Sequence, residues 1–176
     1  MFIESERLIL KPYAKEDIND YHKLMPADIV WAFSTHIPHE NIEQSERKLK
    51  ELISGYSDKP FSFHALIKRE GEVFIGEAGI ISYNKTANRC VIGYNLLPEF
   101  WGTGYGTEIS KALLNYAFTE VNVERVEALA MSANTASCKV LEKSGMKLEG
   151  VLRHFTKIQG KYENVCYYGI IASDRL

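Results

Sequence analysis

Residues 98–108, PEFWGTGYGTE, place Gly102, Gly104 and Gly106 on alternate positions directly ahead of a helical pattern, and this constrains the chain more than any other feature. Helix starts favour Ser, Thr, Asp or Asn, and glycine is costly inside a helix, so these glycines need a reason beyond local stability. A strand, a glycine-rich turn and a helix start together present outward-pointing backbone N–H groups and the positive end of a helix dipole. The pattern predicts a phosphate or pyrophosphate cradle, since a β-carbon would hold such a ligand away from the backbone.

The flanking patterns narrow the fold. RLILKPY (7–13) reads as a strand, followed by helical spacing of Ile18, Tyr21, His22 and Met25, then of Ile42, Leu49, Leu52, Ile53 and Tyr56. Between those helices, PADIVWAFSTHIPHE is long for a connection and is a candidate to line a site. FSFHALIKR, VFIGEAGIISY and RCVIGYNLL, separated by the turns EGE and NKTAN, predict an antiparallel meander. Beyond the glycine loop, Ile109, Leu113, Tyr116, Ala117 and Val121 share one stripe of a long helix. A short strand RVEALAM follows, then a helix from near Asn134 to before Gly145, then two strands joined around Gly160. The order β, α, α, β, β, β, α, β, α, β, β has no repeat or linker to divide it. It predicts one α/β domain over residues 1–176, with a single mixed, mainly antiparallel sheet flanked by helices.

Charge bears on partners. With 21 Lys plus Arg against 23 Asp plus Glu, no broad field for nucleic acid or an anionic membrane is expected. No stretch is apolar for long enough to span a bilayer, and MFIESERLIL has no export-signal pattern. Cys90, Cys138 and Cys166 are odd in number, widely spaced and without a CxxC pair, which suits reduced thiols in a cytoplasmic protein. His36 and His39 in THIPH have no third ligand nearby in sequence, so no metal is assigned.

Two phosphate-binding readings fail on spacing. Gly106 is followed by Thr107 and Glu108 rather than Lys and Ser or Thr, which disfavours nucleoside triphosphate hydrolysis. The loop reads GxGxG after an antiparallel meander, not GxGxxG within a βαβ unit, which disfavours a dinucleotide.

The loop resembles that of the GNAT (GCN5-related N-acetyltransferase) superfamily, with Gly104 and Gly106 at its two small positions and Trp101 where a basic or amide residue usually stands. WGTGYGTE is similar to the form in the branch containing the RimJ/RimL-type ribosomal-protein N-acetyltransferases. SERLILKPY, IGYNLLPEFWG, ANTASCKVLEKSGMKLEGVLRH and QGKYENVCYYGI resemble the same branch in the same order, over nearly the whole chain.

The resemblance implies acetyl-CoA as co-substrate and direct transfer to a primary amine. The implied acceptor is a protein N-terminal α-amine, with a polyamine, amino acid or antibiotic as the alternative; a non-catalytic acyl-CoA-binding module is a further one, and a homodimer is compatible. It also implies that two strands separate beside the loop, leaving backbone groups of Asn95, Leu96 and Leu97 for the pantetheine arm. Trp101, Gly102, Thr103, Gly104, Tyr105, Gly106 and Thr107 are then the expected cofactor loop. Asn134 and Ser137 would face the cofactor from one helix end, with Ser137 protonating the departing thiolate and Tyr94 or Tyr105 as substitutes. The Leu97 or Leu96 N–H is the implied oxyanion donor.

Acetyl transfer needs a neutral amine, hence a route for its proton. Where some ribosomal-protein acetyltransferases carry a glutamate, this chain has Thr156. Glu77 interrupts an apolar strand, which is unusual enough for a carboxylate to suggest proton handling, amine binding or a structural ion pair. His64 is read as a satisfied sheet histidine, with reach to the acceptor side as the alternative. Tyr21, Trp31 and Phe33 fall where the acceptor lip lies in the family. Cys138 adjoins Ser137 but has no identified activating partner, so no covalent route is assigned to it.

Overall fold

The computed structural model describes residues 1–175. In chain order its strands are β1 (Ile3–Glu4), β2 (Leu8–Lys11), β3 (His64–Lys68), β4 (Val73–Asn84), β5 (Arg89–Leu96), β6 (Arg125–Met131), β7 (Lys147–Ile158) and β8 (Lys161–Ile171). The helices are α1 (Ile18–Leu24), α2 (Asp28–Trp31), α3 (Ile42–Gly55), α4 (Tyr105–Thr119) and α5 (Thr135–Lys143). All eight strands form one sheet in the order β1-β2-β3-β4-β5-β6-β8-β7, antiparallel except for β5 and β6. The expected α/β sheet is therefore present. Two short elements go beyond the expected order: β1, two residues long, and α2, a single turn inside the aromatic stretch. Neither is long enough to show a periodicity.

Each face of the sheet carries its own apolar cluster. One joins Leu66, Ile75, Ala78 and Ile80 to Ile109, Leu113 and Ala117 of α4 and Leu141 of α5. The other joins Ala65 and Phe74 to Tyr21 and Leu24 of α1 and Leu49 of α3. Neighbours Ala65 and Leu66 thus face opposite ways, as the two-residue strand period requires.

On β4 that alternation is broken. Leu66 pairs with Gly76 and Ile67 with Phe74, so Ile75 is an extra residue in the ladder, a β-bulge. Ile75 and Ala78, one odd-numbered and one even, consequently face the same cluster. The side chain of Glu77 is turned to the opposite face, toward Tyr13. Gly76 makes the bulge possible: its φ is +149°, and a Cβ there would come 2.1 Å from the Asn95 carbonyl oxygen.

Strands β5 and β6 pair only through Arg89–Arg125, Cys90–Val126 and Val91–Glu127. Beyond Val91 and Glu127 they diverge while each remains a strand, β5 to Leu96 and β6 to Met131. The opening is anchored at its closed end by buried Glu127, which binds both Arg89 and Arg125.

Candidate active site

The divergence of β5 and β6 opens into a cavity of about 940 Å³ lined from the sheet, α1, α3, α4, α5 and the stretch around α2. This is the upper end of the volume usual for small-molecule sites. Glu77, Tyr94, Asn95, Asn134 and Ser137 all line it. The three candidate catalytic side chains, far apart in sequence, thus share one chamber.

Glu77 is 3% exposed and has two donors: Asn95 Nδ2 reaches Oε1 at 2.9 Å, and the Tyr13 hydroxyl reaches Oε2 at 3.4 Å. Burial pushes its pKa up to about 7, against the pull of the Asn95 and Tyr13 hydrogen bonds. Glu77 has no salt bridge to any described residue, so the structural ion pair weighed from the sequence is not its setting. A carboxylate poised near neutrality beside a cavity has the acidity a general base needs.

Asn134 caps α5, its Oδ1 accepting the Ser137 N–H at 3.1 Å. The asparagine is therefore committed to the helix end through that oxygen, while Ser137 lines the cavity wall. Burial raises the pKa of the Tyr94 hydroxyl, with neighbouring Ser137 working the other way. The Tyr94 ring in turn rests on Gly106, where a Cβ would approach it to 3.3 Å. Glycine at 106 thus lets helix α4 lie against the cavity wall.

The glycine loop itself does not line the cavity; it lies outside, at the start of α4. Gly104 is the N-cap with φ of +87° and offers no side-chain oxygen, and Gly102 has φ of +73° with nothing within 4 Å of a built Cβ. Uncapped N–H groups at a left-handed glycine are the donors a phosphate requires. The loop is braced by Arg7, to which the sequence pattern assigns no role. Arg7 donates Nη1 to the Thr103 carbonyl at 3.2 Å, pairs with Glu108 at 2.6 Å and lies over the Tyr105 ring at 4.5 Å. Burial works to raise the Glu108 pKa, but the Arg7 backbone N–H, the Ser5 hydroxyl and the Arg7 guanidinium outweigh it and hold it below the ordinary range. No local signal marks Arg7, because its partners lie about a hundred residues away.

Several of the other site residues expected from the sequence already have partners within the protein. The Leu97 N–H donates to the Ile75 carbonyl at 2.9 Å and its side chain is buried near Tyr13, so it is not a free oxyanion donor. The Leu96 carbonyl accepts from the Trp101 indole N–H at 2.8 Å, which uses the only polar atom of the Trp101 side chain. Tyr105 is packed in the core under Arg7 and, unlike Tyr94, does not line the cavity. Thr103 Oγ1 donates to the Phe100 carbonyl at 2.6 Å, a turn contact. His64 does not line the cavity: Nδ1 meets the Ser62 carbonyl at 2.6 Å, Nε2 is buried without a partner, and burial lowers its pKa to about 4.

A group that the sequence does not reveal stands behind the opposite wall, reaching the cavity through His36 and His39. Ser45 Oγ is 2.8 Å from Nδ1 of both His22 and His39, and His36 Nε2 faces the Met25 carbonyl at 3.3 Å. One serine hydroxyl has one proton, so with both rings neutral one histidine accepts from Ser45 and the other donates to it. Burial lowers the pKa of His36 and His39, which favours the neutral form of both rings. Tyr21, Trp31 and Phe33 also line the cavity.

The family model described as "Acetyltransferase (GNAT) domain" matches residues 7–147. The chain belongs to the GNAT family. As a GNAT-family N-acetyltransferase it is similar to the "Uncharacterized N-acetyltransferase YoaA" of Bacillus subtilis, 27% identical over 96% of both chains. The GNAT fold is shared with RimL, a ribosomal L7/L12 α-N-protein acetyltransferase solved with coenzyme A, at a TM-score of 0.86 and 19% identity, covering 97% of this chain and 98% of that one. It is shared also with a spermidine N-acetyltransferase from Vibrio cholerae solved with CoA and spermine, at a TM-score of 0.84 and 20% identity, with the same coverage.

Proposed function

We propose that this chain forms a single domain that moves an acetyl group from acetyl-CoA directly to a primary amine, taken as a protein N-terminal α-amine, with Glu77 as the base. The observation that carries the reading is the buried Glu77 carboxyl, its pKa raised to about 7, on the wall of the chamber that also holds Tyr94 and Ser137. The donor fits what is present: left-handed glycines with uncapped N–H groups for a pyrophosphate, and diverging strands for an extended arm. Bound acetyl-CoA would supply a thioester carbonyl open to attack by nitrogen.

The chain's own residues do the rest. Gly104, Tyr105 and Gly106 present backbone N–H groups to phosphate, and Arg7 holds their loop in place. Between β5 and β6, the strand ends from Ile92 and Ala128 onward leave room for the arm. Glu77 takes the proton from the incoming ammonium, leaving the lone pair that attack requires. Asn95 and Tyr13 fix the carboxylate's orientation through the two hydrogen bonds above. The amine nitrogen itself attacks the thioester carbonyl, so no covalent enzyme intermediate forms, and as the C–S bond breaks Ser137, backed by Tyr94, delivers a proton to the departing sulfur.

The test is mass spectrometry of an amine mixture incubated with protein and acetyl-CoA, alongside Glu77→Gln. An acetyl shift confined to peptide α-amines, lost in the variant, supports the reading. Full activity in Glu77→Gln removes Glu77 as base. Acetylation of small amines alone moves the acceptor to that class.

A further inference from the structure

The charge pattern of the acceptor wall bears on the body to which the amine is attached. Among the described residues lining the cavity, Glu77 is the only carboxylate. The single lysine there, Lys48, is already paired with Glu51 at 2.8 Å. His36 and His39 are held toward the neutral form by burial. What remains of this wall is largely apolar and aromatic. Phe33 and Ile37 keep 42% and 79% of their surface exposed at the cavity, and Ile81 on the sheet side keeps 48%. Clustered exposed apolar side chains lining a cavity mark a surface meant to be covered. The Trp31 and His36 rings lie 3.9 Å apart, and the Trp31 indole N–H is fixed on the Leu24 carbonyl at 3.0 Å, giving that wall a rigid aromatic floor.

We infer that the acceptor is a monocation, a primary amine on an uncharged apolar or aromatic body, and that this cavity rejects polyamines. The inference rests on the reading that the amine approaches Glu77. One carboxylate serves one ammonium. A second ammonium along a polyamine chain would lie against Phe33, Ile37 and the imidazoles of His36 and His39, with no further carboxylate among the lining residues and the nearby Glu51 already paired with Lys48, which is unfavourable. The body of an N-terminal aromatic or aliphatic residue would instead cover the exposed side chains and gain from their burial.

The experiment separates binding from turnover. Calorimetric titration of protein saturated with CoA would compare the tripeptide amide Phe-Gly-Gly-NH2 with spermidine, and acetylation of both would be followed with acetyl-CoA. The tripeptide should bind about a hundredfold more tightly than spermidine. Gln44→Glu adds a carboxylate to the same wall at nearly constant shape and should raise spermidine affinity about tenfold. Spermidine binding as tightly as the tripeptide, or no tripeptide binding, overturns the inference. If the binding order holds but neither amine is acetylated, the preference of the cavity for a monocation stands as a binding property and the reading of such an amine as the acetyl acceptor is overturned.

Discussion

Replacing Glu77 by glutamine should remove activity and, at alkaline pH, stabilise the protein. The raised pKa links the two effects. An ordinary glutamate titrates near 4.5, and Glu77 in the folded protein titrates near 7. Between those values the folded protein keeps a proton that the unfolded chain has lost, so wild-type stability falls as pH rises; above about 7 both states are ionised and the penalty is constant. At about 1.4 kcal/mol per pH unit, the gap corresponds to roughly 3 kcal/mol. A neutral glutamine side chain carries no such penalty while still offering an oxygen to the Asn95 amide. Urea denaturation followed by tryptophan fluorescence should therefore show the stability of Glu77→Gln, relative to wild type, growing by roughly 3 kcal/mol between about pH 4.5 and about pH 8. The kcat/KM of the wild type should rise with pH to a plateau above about 7, and the variant should lose about a hundredfold or more. A stability difference that does not change with pH would refute the reasoning, because Glu77 would then not be a group held protonated by burial.

Asn95→Leu removes a donor that opposes the rise in the Glu77 pKa, so the acid limb of the kcat/KM profile should move to higher pH; an unmoved limb would show that the Asn95 amide does not act on the base. Gly104→Ala places a Cβ on a left-handed N-cap, a strain of about 1–2 kcal/mol, and should weaken acetyl-CoA binding about tenfold in a calorimetric titration. Ser137→Ala should lower kcat by about tenfold or more while Cys138→Ala leaves turnover within about twofold; the reverse order in steady-state assays would point to a thiol route.

The longer elements, their order and the glycine loop were legible in the sequence because each is a local pattern, whereas the short β1 and α2 were not. Apolar period, turn residues and a glycine run in 102–106 are written in neighbouring positions. The sequence also marked Glu77 as out of place in an apolar strand. Where Glu77 points, however, was decided by the bulge at Ile75, which depends on the pairing register of β3 and β4 and reverses the face of the side chains that follow, as far as the second register shift after Ile80. The commitment of the Leu97 N–H to Ile75 follows from the same cross-strand geometry. Arg7 bracing the loop, Asn95 and Tyr13 holding the carboxylate, and two histidines sharing Ser45 are likewise contacts between distant segments. Such contacts depend on how separate elements come together, so local periodicity holds no trace of them, and the raised pKa of Glu77 exists only once those elements exclude water around it.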